Sequence, residues 1–269
     1  MPLLVRTWNL FHGNSVPTSR RAHLDEMVRL AVADRPDVLC LQEVPVWALP
    51  KLGGWADMRV FGEIAARAKF GPFPSVAELG QLLTSFHHGL LRSLFTGQAN
   101  AILVGEGYAT EDYHALVLNP WRYRRAGARR LGLGPVARLA WAKERRVVQA
   151  LRLVRPSSRR ALLANLHATA YSPDRRLADA ELRRAEEFAL GLARADEIVV
   201  IAGDFNSFPR TSKTIPWLVR QGFSKPAPAV DHVLVRGAPA SAPDRWEPDR
   251  RRLNGLLLSD HAPVDVRIE

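Results

Sequence analysis

With 269 residues, 47% of them hydrophobic and 24% charged, the chain has the composition of a globular protein able to bury a sizeable core without a disulfide staple. That composition excludes disordered, collagen-like and coiled-coil chains, and no window of about 18 residues is apolar enough to span a membrane. Thirty-eight lysines and arginines against 27 acids leave a net charge of +11, and with only five lysines the remaining 33 cations are arginine. The planar guanidinium fork suits phosphate, so this balance fits either a polyanionic partner or an arginine-rich coding bias.

In chain order, Leu3–Trp8 reads as a short strand, followed by a loop with Gly13 and Pro17. Thr18 or Ser19 is placed to cap a helix over about 20–34, with Leu24, Met27, Val28 and Ala31 on one face. Asp37–Leu41 is a continuously apolar strand of the kind buried on both faces, and it holds the only cysteine, Cys40, as a buried thiol. One cysteine, and a start without a basic, long-apolar leader, point to a reducing, cytoplasmic location. A helix is expected over about 75–95, either packed or acting as a lid, with His87 and His88 on it. Strands are expected at Ala99–Val104 and His114–Leu118.

Pro120–Arg146 carries nine cations against the single acid Glu144, with Trp121, Tyr123 and Trp141 among them. It reads as a glycine-punctuated loop that grips phosphates, through residues such as Arg122, Arg124 and Arg125, and stacks on bases, or presses into a lipid interface, or is simply a solvated surface. Val147–Val154 and Ala161–His167 form a hairpin, and a helix follows over about 175–194. A buried strand, Glu197–Ala202, precedes a helix near 214–221 and the strands Val233–Arg236 and Ala262–Ile268. There is no internal repeat and no separating linker, so residues 1–269 are expected to form a single domain with inserts at about 62–97 and 120–143.

Polar residues able to bind metal or move protons gather at strand ends: Asn9, Glu43, Asn165 with His167, Asp204 with Asn206, Asp231 before a strand, and Asp260-His261 before the last. Residues two apart on a strand share a face, so the Asn165/His167 and Asp204/Asn206 pairs can each address one pocket. Such carboxylates and carboxamides are hard oxygen donors, which favours Mg²⁺ or Mn²⁺ over zinc. Each motif alone is equally at home as a structural feature; together, and in this order, they are not.

The order Leu-Gln-Glu (41–43), Asn-Leu-His (165–167), Gly-Asp-Phe-Asn (203–206) and Ser-Asp-His (259–261) resembles the endonuclease/exonuclease/phosphatase superfamily, from Thr7 to His261. This group includes deoxyribonuclease I-like nucleases, apurinic-site endonucleases, inositol-polyphosphate phosphatases and bacterial sphingomyelinases. The resemblance implies an α/β, four-layer α/β/β/α sandwich of two facing mixed sheets, and metal-dependent hydrolysis of a phosphoester. It implies Glu43 as the principal metal carboxylate assisted by Asn9 and Asp260, and Asp204, beside Asn206, as the base for the attacking water. His261, oriented by Asp231, is then the phosphate-contacting histidine, His167 a proton donor to the leaving group, and Asn165 a substrate contact. The tyrosine found in several branches has no motif here, Tyr108, Tyr113 and Tyr123 being the candidates.

The arginine-rich segment favours nucleic acid as the phosphoester substrate. A phospholipid or inositol-phosphate headgroup, met at a membrane surface, keeps the same chemistry. A catalytically silent basic binding module is the third class, against which the intact polar set argues.

Overall fold

The computed structural model describes residues 2–67, 96–154 and 159–269, with the backbone of 69–70 and 73–74. The helix expected over about 75–95, with His87 and His88, lies outside the described residues. Eleven strands make two mixed sheets. The first holds β1 (Leu3–Asn9), β2 (Val38–Val44), β3 (Arg59–Ala66), β4 (Gln98–Val104), β10 (Asp244–Arg245) and β11 (Val264–Ile268), in the order β10-β11-β1-β2-β4-β3. The second holds β5 (Ala109–Val117), β6 (Val147–Val154), β7 (Ala161–His167), β8 (Ile198–Asp204) and β9 (Asp231–Arg236), in the order β9-β8-β7-β6-β5.

Each sheet contains one parallel pair: β1 with β2, crossing over through helix α1 (Leu24–Val32), and β7 with β8, crossing over through α5 (Arg176–Leu192). All other pairings within the two sheets are antiparallel.

Period-two alternation builds the layers. Val5, Val38, Cys40, Ile102 and Val104 from the first sheet pack against Leu151, Leu163, Val200, Val233 and Val235 from the second, making the central core. The alternate residues Trp8, Leu39, Leu41 and Leu103 face outward onto Leu24, Met27 and Val28 of α1 and Leu52 of α2 (Leu52–Ala56). On the other side Ala164, Leu166, Val199 and Ile201 meet Ala178, Leu182 and Ala185 of α5 and Ile215 and Leu218 of α6 (Thr214–Arg220). The result is the expected α/β/β/α sandwich.

Three local expectations are corrected. Helix α1 starts at Leu24, and neither Thr18 nor Ser19 caps it. The Ser19 hydroxyl instead bonds Arg21 O and the His23 ring, and His23 occupies the N-cap position without a side-chain bond to the helix. Strand β2 runs on from Leu41 to Val44, bulged between Leu41 and Val44 where its ladder with β4 slips. The 120–146 loop is two helices, α3 (Trp121–Arg130) and α4 (Pro135–Lys143). Gly127, which suggested a break, instead lets α4 approach: a Cβ there would lie 2.8 Å from the Trp141 ring. Trp141 is buried, edge-on to Tyr123 at 5.9 Å, and packs with Ala128, Leu133 and Ala137 against Leu177 of α5.

Candidate active site

The carboxyl ends of both parallel pairs meet on one rim, a place where strand directions favour building a site. β1 ends at Asn9 and β2 carries Glu43 near its end, while β7 ends at His167 and β8 at Asp204, the last two in register. Antiparallel pairing of β9 sets Asp231 opposite Asp204, and the Ser-Asp-His turn enters β11 beside the end of β1.

Local backbone geometry aims these side chains. Glu43 sits in the β2 bulge with a left-handed φ of 52°, which turns its carboxylate out of the strand's alternation. Gly203 has φ 134°, and a Cβ there would lie 1.9 Å from Leu166 O, so only glycine lets β8 approach β7 just before Asp204. The Ser259 hydroxyl donates to Asn9 O (2.7 Å) and accepts from His261 N (3.0 Å), the Trp8 indole donates to His261 O (3.0 Å), and the buried Arg251 holds Leu258 O and Ser259 O.

Asp204 is the centre. Its Oδ1 accepts Asn206 N (2.9 Å), and its Oδ2 accepts the side-chain amides of Asn9 (3.0 Å) and Asn206 (3.2 Å). The His167 and His261 Nε2 atoms lie 3.5 and 3.9 Å from the same oxygen. Burial, reinforced by the Asp231 charge, pushes the Asp204 carboxyl up to about 7 against the opposing pull of His261 and the two asparagines. Burial disfavours a charged His261, but Asp231, bonded to its Nδ1 at 2.8 Å, and Asp204 outweigh that and hold its pKa well above the ordinary range.

Glu43 Oε1 accepts from Asn9 Nδ2 at 3.3 Å and lies 3.8 Å from His167 Nε2, while its Oε2 faces His12 Nε2 at 3.3 Å. Burial opposes its ionisation, yet His12, Asn9, His261 and Arg146 together keep its pKa below the usual carboxylate value. Glu43 is therefore an anion open to solvent, with a side chain 19% exposed. The Glu43 carboxylate is a hard-oxygen donor that fits Mg²⁺ or Mn²⁺, while the Asn9 side chain turns its Nδ2 toward Glu43 and Asp204 and its Oδ1 toward Phe11 N. One atom from each of Asp204, Asp231 and His261 also falls within 4.8 Å of the others. The direct Asp231–His261 bond occupies the atoms an ion would need there, so the Glu43 side is the better cradle. Asp260, expected beside the ion, is exposed, and its charge acts on His261.

Two expectations change and one residue is added. Asn165 is wholly buried rather than open to substrate: its Nδ2 donates to Leu41 O, Ala101 O and Gln149 Oε1, and its Oδ1 accepts Gln42 Nε2. It faces the same gap as His167, one step deeper, and bolts the two sheets together where the β2 bulge interrupts the ladder. His167 is not held as a cationic proton donor, because burial, then Arg146, His261 and His12, push its pKa well below the ordinary histidine value. The buried Arg146, one arginine among many in the sequence, places Nη1 3.0 Å from His167 Nδ1 and Nη2 2.6 Å from Glu144. The same Nη1 lies 3.2 Å from His167 Nε2, so the guanidinium addresses both ring nitrogens. His12, for which the sequence leaves open a supporting role at the site or a loop-stabilising one, contacts Glu43.

The expected phosphate-gripping arginines sit on α3. Arg124 donates to Asn119 O, Arg125 stacks over Trp121 at 5.3 Å, and Arg122 is exposed. None of these contacts reaches the Asp204 cluster. Of the candidate tyrosines, Tyr108 lies in the central core, Tyr113 meets Gly62 O and Gln149, and Tyr123 bonds Ala180 O. A cavity of about 830 Å³ adjoins the cluster, lined by His12, Glu63, Gln98, Lys143, Glu144 and Arg145 among others.

The model of the endonuclease/exonuclease/phosphatase family matches residues 7–261. Similar solved structures include a conserved protein of unknown function from Enterococcus faecalis V583 (14% identity, TM-score 0.68, 99% of each chain). An endonuclease/exonuclease/phosphatase from Beutenbergia cavernae DSM 12333 is similar over all of this chain and 71% of its own (16%, TM-score 0.67). TDP2 from Caenorhabditis elegans is similar over all of this chain and 75% of its own (15%, TM-score 0.61). No curated protein sequence matches it. The fold, the strand-end cluster and this match together establish that the chain belongs to the endonuclease/exonuclease/phosphatase family.

Proposed function

We propose that this chain is a metal-dependent phosphodiesterase that cleaves its substrate with an activated water, acting as one domain. The observation that carries this reading is Asp204: a buried carboxylate with its pKa raised to about 7, fixed by Asn9 and Asn206 between two histidines and beside an ionised Glu43.

A base with that pKa is largely deprotonated above neutrality yet still basic enough to take a proton from water. Asn206 and Asn9 keep its oxygens on a fixed line, so the water is aimed as well as deprotonated. His261, kept charged by Asp231, lies 3.9 Å from Asp204 Oδ2, where it can pair with a phosphate oxygen as negative charge builds. His167, neutral and held beside Arg146, lies 3.5 Å from Asp204 Oδ2, where it can contact a second phosphate oxygen. Glu43, beside Asn9, would hold Mg²⁺ or Mn²⁺, which would supply charge neutralisation at the phosphate.

Nucleic acid is the first substrate class, supported by the +11 net charge and the cations Lys143 and Arg145 at the adjoining cavity. A phospholipid headgroup is the second, favoured by the exposed Trp121, Val136 and Leu139. A panel of bis(p-nitrophenyl) phosphate, plasmid, oligonucleotide, abasic duplex and headgroup diesters, run with Mg²⁺ or Mn²⁺ and with chelator, tests the reading. Chelator-sensitive hydrolysis of at least one diester is expected; no hydrolysis of any would refute it.

A further inference from the structure

The three most exposed large apolar side chains among the described residues are Leu139 (72%), Val136 (68%) and Trp121 (61%), and all three lie on the α3–α4 hairpin. The same segment, residues 121–143, carries Arg122, Arg124, Arg125, Arg129, Arg130, Arg138 and Lys143, and no acid. On α4 the buried residues Ala137 and Trp141 face α5, whereas Val136 and Leu139, three residues apart, lie on the opposite side of the helix. Two aliphatic side chains standing in water on one side of α4, and a tryptophan exposed at the start of α3, in a segment whose only charges are cationic, are costly features for a free surface.

We infer that this hairpin docks on an anionic lipid surface. The charge is complementary to acidic headgroups, and the exposed Trp, Val and Leu suit the interfacial layer, where an amphipathic helix lies flat with its apolar side chains inserted. Nucleic acid would match the arginines but offers nothing for Val136 and Leu139. The hairpin is also rooted at the reaction centre. Asn119, just before α3, bonds Trp141 O and Glu144 O at the end of α4 and accepts Arg146 N, and Arg146 contacts His167. Docking therefore anchors the segment that leads into Arg146, and through it His167, at the lipid surface. The inference concerns binding and stands whichever diester is cleaved.

Sedimentation of the full chain with vesicles of phosphatidylcholine and 30% phosphatidylglycerol, against pure phosphatidylcholine, in about 150 mM salt, tests it. Partition onto the anionic vesicles is expected to fall at least tenfold in the W121S/V136S/L139S variant. Its thermal unfolding and its hydrolysis of bis(p-nitrophenyl) phosphate should match the parent, since these side chains touch neither core nor cluster. Absence of partition in the parent overturns the inference. So does unchanged partition in the variant, and if oligonucleotide binding is then lost in R122E/R125E/R129E, the surface belongs to nucleic acid.

Discussion

Replacing Asn165 with Ala separates a structural bolt from a substrate ligand. The side chain is wholly buried and satisfies two main-chain carbonyls, of Leu41 and Ala101, and two glutamine side chains, Gln42 and Gln149. Its loss leaves those groups short of a partner in a space too enclosed for easy hydration. An unsatisfied buried polar group costs about 1–3 kcal/mol, and Gln42 and Gln149 retain other partners, so a net loss of about 3–5 kcal/mol is expected. Of a typical 5–15 kcal/mol stability that is a large share, so the variant should unfold at markedly lower urea concentration. Urea unfolding followed by tryptophan fluorescence measures this, with steady-state kinetics of the folded enzyme alongside. KM should stay within about twofold. A stability change below 1 kcal/mol together with a large rise in KM would refute the bolt and restore Asn165 to the substrate.

Gly203→Ala should cost about 3 kcal/mol or more by forcing β8 from β7, and should also displace Asp204; calorimetry that finds an unchanged Tm would contradict the close approach to Leu166 O. Glu181, buried beneath Trp141 and Thr169, has its pKa raised by burial above the unfolded value despite Arg146 and its hydrogen bonds. Folding therefore favours its protonated form, and its contribution to stability is greatest below the unfolded pKa and declines as pH rises toward the folded one. The stability of the wild type relative to Glu181→Gln should fall across that window, measured as urea midpoints from pH 4 to 8; a flat or rising difference would contradict the assignment. Saturating Mg²⁺ or Mn²⁺ should raise stability by about 2.7 kcal/mol at a hundredfold excess over Kd. Differential scanning fluorimetry should lose that shift in Glu43→Gln, and a shift that persists would place the ion elsewhere.

Much of the fold was legible because two periodicities do most of the work. The apolar runs at 38–41, 161–164 and 198–202 can only be buried strands, and the stripe Ala178, Leu182, Ala185, Ala189 can only be a helix against them. The Gly-Asp-Phe-Asn element stands out because an aspartate closing an apolar strand needs a partner, whereas Ser-Asp-His gains its meaning only from its place in the ordered set. Contacts between sheets were not legible. Asn165 shares a face with His167 by spacing, but the carbonyls that claim it belong to two strands of the other sheet, 124 and 64 residues away. Arg146 resembles every other arginine of its run until its distance from His167 is known. The hairpin was read as loop because Gly127, Gly132 and Gly134 signal breaks, and only the Trp141 ring above Gly127 explains the first of them. Among the described residues no helix is long and apolar enough to cross a membrane, as the hydropathy pattern implied.

The most direct test of the central claim is the rate of phosphodiester hydrolysis before and after Asp204→Asn, a change that preserves shape and removes the base. Hydrolysis with Mg²⁺ or Mn²⁺ should fall by about 10²–10⁴-fold in kcat while the circular dichroism spectrum and ion-induced thermal shift are retained. A variant as active as its parent would mean that the water is activated elsewhere.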